Sequence, residues 1–333
     1  MTGTRAVQLE NGLTEAEHRT EALKGHAAMF AFAVAISGSF TLGKQAAPHL
    51  DPAALNSIRF ALAGCLLAPL ALRRLRREHL DALWRYPLLG GVFACYFFLM
   101  FVALRLTDPI STAAVFTLPP MMSAVFGWFL LRQVITPRIA VSLAIAGAGA
   151  IWVIFRADVD RIMAFDLGRG EIVFLFGCAA HAFYTPLVRR LSRGEPVLVF
   201  TFGTIVAGTL LLSLAGAPAI MATDWTALPD IVWITIAYLA VFATAGSFLM
   251  VQFATLRLPS SKVMAYGYLV PSFVIFWEGV LGHGWVSASV LLGAGATFVG
   301  LIILLGPDHV GGAKINAAAV RPETDAPGSA PHR

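Results

Sequence analysis

Residues 86–104 read YPLLGGVFACYFFLMFVAL and contain no charged side chain. A helix needs about 20 apolar residues to cross the hydrocarbon core of a bilayer, so this segment predicts a membrane-spanning helix. Because polar and apolar residues do not alternate along it, as they do in the strands of a membrane barrel, a helix is the only conformation that satisfies its backbone in lipid. Ten such segments occur along the chain: 26–44, 54–72, 86–104, 110–131, 138–155, 171–188, 197–217, 231–254, 263–282 and 287–306.

The composition points to an all-α polytopic membrane protein. Of 333 residues, 58% are hydrophobic and 13% are charged, whereas a soluble domain is about 25% charged. This excludes a soluble enzyme, a disulfide-rich secreted domain and a disordered protein. The three cysteines lie far apart in apolar runs, without the spacing of a disulfide framework or a zinc site. With no nucleotide-binding loop and no set of metal ligands, we expect no cofactor and no metal.

The distribution of basic residues predicts the orientation. If the N-terminus lies inside, 18 of the 24 Lys and Arg residues fall on the inner side and 5 on the outer side, and Arg59 lies within a helix. Basic residues collect in cytoplasmic loops, so both termini are expected in the cytoplasm, with the protein in the inner membrane of a bacterial-type cell. The same rule explains the net charge of +5 without a nucleic-acid partner.

The chain also resembles itself at offsets near 150 residues. Phe-Leu-Met recurs at 98–100 and 248–250, Leu-Arg-Leu at 104–106 and 256–258, Pro at 120 and 271, and Gly-Ala-Gly-Ala at 147–150 and 293–296. Four matches in order indicate a duplication. Since each half carries five helices, an odd number, the second half must enter the membrane inverted. Inverted repeats are typical of secondary transporters, with the substrate site near the midplane.

This predicts five regions. A cytoplasmic N-terminal tail (1–24) precedes the first repeat (25–156), an external linker (157–170) joins it to the second repeat (171–306), and a cytoplasmic C-terminal tail (307–333) follows. The polar or Gly-, Ala- and Pro-rich composition of both tails predicts disorder. No apolar core follows a basic start at the N-terminus, so we expect no cleaved signal peptide.

With these residues in view, the chain resembles the EamA-type transporters of the drug/metabolite transporter superfamily. The resemblance covers about 26–155 and 171–306. It rests on Ser39-Phe40, on Asn56 through Phe60, on Ala103 through Pro120 and on Thr255 through Pro271. It implies ten helices in two repeats, and a cavity lined by the first, third, fourth, sixth, eighth and ninth helices that carries small metabolites, often outward.

Two charged side chains lie well inside the predicted spans, Arg59 and Glu278. At 1.5 Å per residue both Cα atoms lie about 6 to 7 Å below the outer edge. Intramembrane charges are costly and are a functional hypothesis by default. We therefore predict that the two residues pair, or face each other across an outer vestibule as a gate or clamp. A structural ion pair, or separate snorkelling to the interface, is the alternative.

A histidine falls near the midplane, because His181 lies about 15 Å into the sixth segment. Histidine is the side chain whose ordinary pKa lies nearest physiological pH, so His181 is a candidate for proton coupling or substrate binding. Tyr184, one turn further on, is expected on the same face. The alternative for His181 is a structural hydrogen bond between helices.

Prolines interrupt the fourth and ninth segments near their middles, at Pro119, Pro120 and Pro271. Proline removes a backbone donor and displaces the carbonyl four residues earlier. The carbonyls of Val115, Phe116 and Gly267 are therefore candidate ligands for a substrate, although a simple packing kink would give the same pattern.

Weaker candidates complete the set. Lys262 and Tyr266 begin the ninth segment, where a basic residue is also expected from orientation alone. Five aromatic residues are candidates for an aromatic wall: Phe97, Phe98, Trp128, Phe276 and Trp277. The Gly and Ala residues of 144–150 and 289–296 predict close packing of the fifth and tenth helices.

We interpret the chain as a secondary transporter that exports a small organic metabolite or drug-like solute, such as an amino acid or related compound, by alternating access. Uptake or exchange by the same fold remains the alternative; a membrane-embedded enzyme or a sensor is disfavoured by the few polar residues in the spans and by the short tails. The expected partners are the solute, the bilayer and, if transport is coupled, protons. The sequence leaves a homodimer open.

Overall fold

The computed structural model describes residues 15–132, 136–164, 167–255, 257–258 and 260–305. Within these ranges the chain is helical and contains no strand. Ten helices are long and apolar enough to cross a membrane, and each coincides with one of the predicted segments. The predicted all-α polytopic class is therefore confirmed.

The ten long helices are numbered α1 to α10 in chain order. Seven are continuous: α1 (Glu15–Ala46), α2 (Pro52–Leu72), α3 (Arg85–Leu106), α5 (Pro137–Ile154), α6 (Arg169–Leu191), α7 (Val197–Ala215) and α10 (Ala288–Leu305). The other three have an interruption: α4 (Pro109–Val115 and Pro119–Leu131), α8 (Asp230–Ala240, a π-helical stretch Val241–Gly246, and Ser247–Thr255) and α9 (Ser260–Ala265, a 3-10 turn Tyr266–Leu269, and Val270–Val280).

The ends and connections differ in part from the predicted boundaries. Residues 15–24, predicted as part of a disordered tail, are helical and extend α1, since alternating charged and apolar residues there suit a helix that emerges into water. Residues 1–14 and 306–333, which include the predicted C-terminal tail, lie outside the described residues. The predicted linker 157–170 contains the short helix Val159–Met163.

The predicted close contact of α5 with α10 is confirmed. A Cβ built on Gly149 would lie 2.6 Å from the carbonyl oxygen of Gly293, and one built on Gly293 would lie 2.7 Å from that of Gly149. Ser142 adds a hydrogen bond from its hydroxyl to the carbonyl of Gly300 at 2.7 Å. Only glycine allows two helix backbones to approach so closely, which is why small residues stabilise helix pairs in membranes.

The other contacts form two corresponding sets. α3 and α4 of the first half pack on α6 of the second half, and α8 and α9 of the second half pack on α1 of the first. α2 packs on α7, as α5 does on α10. This pairing is what an inverted repeat would give, because exchanging the halves exchanges the members of each set. The inversion itself stays a prediction.

The interruptions of α4 and α9 confirm that the prolines break these helices. Pro119 and Pro120 begin the second part of α4, and Pro271 lies in the first turn of the last part of α9. In α8 the interruption has no proline and is a π-helical stretch, a distortion that is frequent at functional sites. All three interruptions lie in the interior of their helices, close to the cavity described next.

Candidate functional site

A cavity lies between six helices: α1, α3, α4, α6, α8 and α9. These are the six helices implied by the family resemblance. The cavity encloses about 750 Å³ of empty space, including the part open to solvent. Its lining is mainly apolar and aromatic, and consists of Phe32, Ile36, Phe93, Tyr96, Phe97, Phe116, His181, Tyr184, Thr185, Val188, Arg189, Ser247, Phe248, Val251 and Met264.

Aromatic rings form the deepest part of this cavity. Phe93 lies at the centre of the group, with its ring centroid 4.5 Å from that of Phe248, 4.7 Å from that of Phe97 and 4.9 Å from that of Tyr184. Such edge-to-face and tilted pairs are favourable geometries for aromatic side chains. The packing fixes the rings against one another, and their faces and edges make a surface suited to a flat, apolar group.

His181 contributes the imidazole of the cavity. Its ring centroid lies 4.6 Å from that of Tyr96 and 5.5 Å from that of Phe116. The Nδ1 atom is buried and has no hydrogen-bond partner among the described residues. A buried polar atom without a partner is costly, so a hydrogen-bonding group that reached this nitrogen would stabilise it. Of the predicted site residues, His181, Tyr184 and Phe116 line this cavity.

The cavity is closed at one end by three buried rings. Phe40, Phe116 and Phe174 lie with centroids 5.7 to 6.4 Å apart, and none is more than 3% exposed. Beyond them, Thr107 links three helices, because its carbonyl accepts from Lys44 Nζ at 2.7 Å and its hydroxyl donates to Glu171 at 2.5 Å. The start of α6 lies at this closed end of the cavity.

The opposite end is the open one. In the last turn of α6, Arg189 is exposed and Val188 is partly exposed, as are Val251 of α8 and Met264 of α9, so these lining residues mark the mouth. The mouth therefore lies on the side where α6 ends and α7 begins. Among the described lining residues none is acidic, and Arg189 is the charged group at the entrance.

The predicted pairing of Arg59 with Glu278 is wrong. Arg59 is fully buried, and its Nε and Nη2 donate to Thr244 Oγ1 at 3.1 and 2.9 Å. The pairing was inferred from Cα depths, but the arginine side chain extends toward the middle of the membrane, where the π-helical stretch of α8 presents Thr244. Its guanidinium carbon lies 3.9 Å from the ring centroid of Phe97, and Phe97 also lines the cavity.

Glu278 lies instead at the end of α9 with a different partner. Its Oε2 is 3.0 Å from Nδ1 of His283, and its Oε1 is buried without a partner among the described residues. Next to it, Trp277 Nε1–H donates to Ser37 Oγ at 3.0 Å, which ties α9 to α1. Glu278 does not line the six-helix cavity.

Two other predicted residues lie at the start of α9. The Tyr266 hydroxyl is 2.9 Å from Nδ1 of His26 on α1. Lys262 lies one turn earlier and is half-buried. Neither is among the residues that line the cavity, although Met264 between them is.

The carbonyls expected to be freed by proline are mostly occupied. The Val115 carbonyl accepts from the Leu118 N–H at 3.1 Å, and the Gly267 carbonyl accepts from the Val270 N–H. A tightened turn thus replaces the lost helical bonds at these two carbonyls, and a role for them in binding a substrate stays a prediction. A Cβ built on Gly267 would lie 3.7 Å from the Phe116 carbonyl oxygen, so the two interruptions, with Pro120 and Pro271 after them, face each other.

Sequence reasoning missed several lining residues and chose others that face outward. Phe98, Trp128 and Phe276 are 36%, 54% and 50% exposed and lie on the outer surface of the bundle, whereas Phe97 alone of the predicted aromatic wall lines the cavity. Tyr96 and Phe248 were not predicted. One signal was present for Phe248, which begins the second copy of the repeated Phe-Leu-Met.

Within the described ranges there is no group of three or more His, Cys, Asp or Glu residues that could hold a metal ion. The cavity is lined by apolar and aromatic side chains with few polar groups. An apolar, aromatic concavity with a few polar groups is the usual form of a small-molecule site.

Comparison with known proteins gives a family. Residues 23–155 and 168–306 match the profile of the EamA-like transporter family. Two similar proteins from Bacillus subtilis (strain 168) are the uncharacterized transporters YyaM and YvbV. YyaM is 22% identical over 287 residues, which is 84% of this chain and 92% of YyaM. YvbV is 22% identical over 272 residues, 80% of this chain and 87% of YvbV.

A solved crystal structure has the same fold. It superposes with a TM-score of 0.65 at 19% identity, and covers 86% of this chain and 96% of the other.

Proposed function

Because this chain belongs to the EamA-like transporter family and is a multi-pass membrane transporter, we propose that it exports a small organic metabolite or drug-like solute by secondary active transport. The observation that supports this most is the cavity between six helices, open at one end and closed by aromatic rings at the other. A carrier that alternates its access needs a central site of this kind, which is exposed to one side at a time.

The orientation we propose makes the open end cytoplasmic. Most of the 24 basic residues fall on the side that carries both termini, and the mouth at Arg189 lies on that side. In a bacterial-type inner membrane the structure is then an inward-open state. A solute would enter from the cytoplasm, which suits export, although the same path read in reverse serves uptake or exchange.

The layer of Phe40, Phe116 and Phe174 is then the closed outer gate. Outside it, the bonds from Lys44 and to Glu171 hold α1, α3 and α6 together. Opening toward the outside would require these rings to separate and the Thr107 links to break, while the inner mouth closes. The facing interruptions of α4 and α9 provide points at which helix halves can move.

The lining suggests the kind of solute. The stacked rings favour a flat apolar portion, and the free Nδ1 of His181 favours one hydrogen-bonding group nearby. We propose a solute with a ring or comparable flat group and at least one polar substituent, of a size that fits the aromatic part of the cavity.

The experiment is a flux panel with the purified protein in liposomes. Ring-containing metabolites, amino acids and drug-like compounds are offered singly, with and without a pH gradient. We expect at least one compound to cross faster than in protein-free liposomes. A complete absence of protein-dependent movement across the panel would overturn the proposed function.

We further propose that His181 couples transport to protons, and that Glu278 takes part from the outer side. The prediction is that His181→Gln transports with a rate that no longer depends on the pH gradient, because glutamine keeps a hydrogen-bonding group but cannot take up a proton. The measurement is initial flux at several gradients. His49→Gln is the matched control, since His49 is exposed outside the helices, and should keep the wild-type dependence. An unchanged dependence in His181→Gln would remove His181 as the proton carrier.

A further inference from the structure

Arg59 is a buried charge for which the described protein supplies no counter-charge. The side chain is 0% exposed, and among the described residues no carboxylate lies within salt-bridge distance of it. Arginine remains protonated in proteins. The cost of holding an uncompensated charge in low dielectric is large, so a residue of this kind calls for an explanation beyond packing.

Neutral groups hold the guanidinium only in part. Thr244 Oγ1 accepts two hydrogen bonds, from Nε and Nη2, while the contacts to Asn56 Oδ1 and to the Ala243 carbonyl are both long, at 3.4 Å. Three aromatic rings surround the guanidinium as well: its carbon lies 3.9 Å from the ring centroid of Phe97, 5.7 Å from that of Phe60 and 5.9 Å from that of Phe101. This set orients the positive charge and leaves it unneutralised.

The charge lies one ring away from the cavity. Phe97 contacts the guanidinium and also lines the cavity beside Tyr96 and Phe93. The Phe97 ring therefore separates the guanidinium from the cavity. Orientation does not explain the residue, because Arg59 is on the outer half of α2, where the rule for cytoplasmic loops gives no reason for a basic side chain.

The charge at the mouth of the cavity is also positive. Arg189 stands at the mouth, and none of the described lining residues is acidic. The acidic residue nearest along the chain, Glu195, is paired with Arg85, with both side chains no more than 3% exposed. Burial alone would raise the pKa of Glu195, but the hydrogen bonds from Arg85 and from the Arg193 N–H lower it. The carboxylate is therefore already neutralised by Arg85.

From this arrangement we propose that the transported solute is an organic anion, a ring-bearing carboxylate or a comparable acid, and that Arg59 is its counter-charge from behind Phe97. The proposal rests on the proposed function, since it names the substrate class of the same cavity. The path from Arg189 to Arg59 attracts anions and repels organic cations. A bound carboxylate would supply the charge that the described residues around Arg59 lack.

Three near-isosteric probes test which charge the cavity prefers in a solute. They are 2-naphthoate with one negative charge, the neutral 2-naphthamide, and 2-naphthamidinium with one positive charge. Binding to the full-length purified protein is measured by calorimetry. We expect the carboxylate to bind about 10-fold more tightly than the amide, and the amidinium most weakly, as Coulomb attraction across a partly buried wall would give. This ranking in the wild type needs no variant.

Variants then assign the preference to Arg59. In Arg59→Gln the ratio of carboxylate to amide affinity should fall to within about twofold, whereas Arg59→Lys should keep most of it because the charge remains. Arg190→Gln is the matched control, and should change the ratio by less than about twofold, because Arg190 is exposed and is not among the residues that line the cavity, so that salt screens its charge. Since each ratio is taken within one variant, a general loss of stability does not mimic the result.

The outcomes separate the two proposals. Equal binding of the three probes, or tighter binding of the amidinium, overturns the anion proposal and leaves the aromatic site intact. A preference that survives in Arg59→Gln overturns the role of Arg59. Failure of all three probes to bind the wild type overturns the anion proposal and the proposed ring-binding site together.

Discussion

A tryptophan in place of Thr185 should reduce transport to the rate of protein-free liposomes. Thr185 lies on α6 next to Tyr184, and its hydroxyl is 3.6 Å from Met264 Sδ across the inner part of the cavity. The position is partly exposed, so the larger ring can enter empty space without displacing the core. It would then block the passage between the mouth and the aromatic rings. The measurement is initial flux of a solute identified in the panel.

Phe176→Trp is the control for this variant. Phe176 lies on the same helix but is 66% exposed on the outer surface, where lipid is expected. A tryptophan there should leave both the flux and the chromatographic profile of the purified protein unchanged. If Thr185→Trp is folded by the same criterion and transports at the wild-type rate, the six-helix cavity is not the solute path.

A leucine in place of Gly149 should prevent the protein from accumulating in a folded form. Its Cβ would lie 2.6 Å from the Gly293 carbonyl oxygen and 2.9 Å from the Ala296 Cβ. Since a backbone atom cannot rotate away, α5 and α10 would have to separate along their whole contact. Overpacking of this kind costs about 3 kcal/mol or more. The measurement is the yield and melting temperature of the monodisperse protein after extraction in detergent.

Gly147→Leu is the matched control, two residues away on the same helix. A Cβ at Gly147 would meet nothing within 4 Å, so leucine there should extend into lipid and leave the yield close to that of the wild type. Equal yields for the two leucine variants would contradict the packing described for α5 and α10.

The membrane helices could be predicted because their signal is local. A run of about 20 apolar residues has one stable solution in lipid. Proline is a weaker signal, because Pro119 and Pro271 lie at interruptions whereas Pro69 and Pro186 lie inside continuous helices. The close contact at Gly149 and Gly293 was likewise predictable from small residues alone.

The cavity could not be predicted, because an apolar helix in lipid does not encode which face turns inward. Phe97 and Phe98 are adjacent and chemically identical, yet Phe97 lines the cavity while Phe98 is exposed at the surface. In a water-soluble protein, inward-facing positions are apolar and outward-facing positions are polar. In this bundle the lipid and the interior are both apolar, so side-chain polarity does not show which face turns inward. Only the packing of α3 against its neighbours determines that Phe97 lines the cavity.

Arg59 illustrates a second limit. Counting residues along α2 places its Cα at a depth similar to that of Glu278, but the guanidinium lies several bonds away and contacts Thr244 in the middle of α8. The π-helical stretch that presents Thr244 contains no proline, so nothing in the local sequence indicated it. The long side chain and the irregular turn together moved the charge toward the cavity wall.

We propose that the six-helix cavity is the solute path and that its mouth faces the cytoplasm. The most direct test is the sidedness of a single cysteine at Thr185, in a protein whose Cys65, Cys95 and Cys178 have been replaced, with His49→Cys as the reference for the outer side. We expect a membrane-impermeant maleimide to label Thr185→Cys from the cytoplasmic side only, and a transported solute to slow the labelling. Labelling from the outer side, or labelling that no transported solute slows, would contradict it.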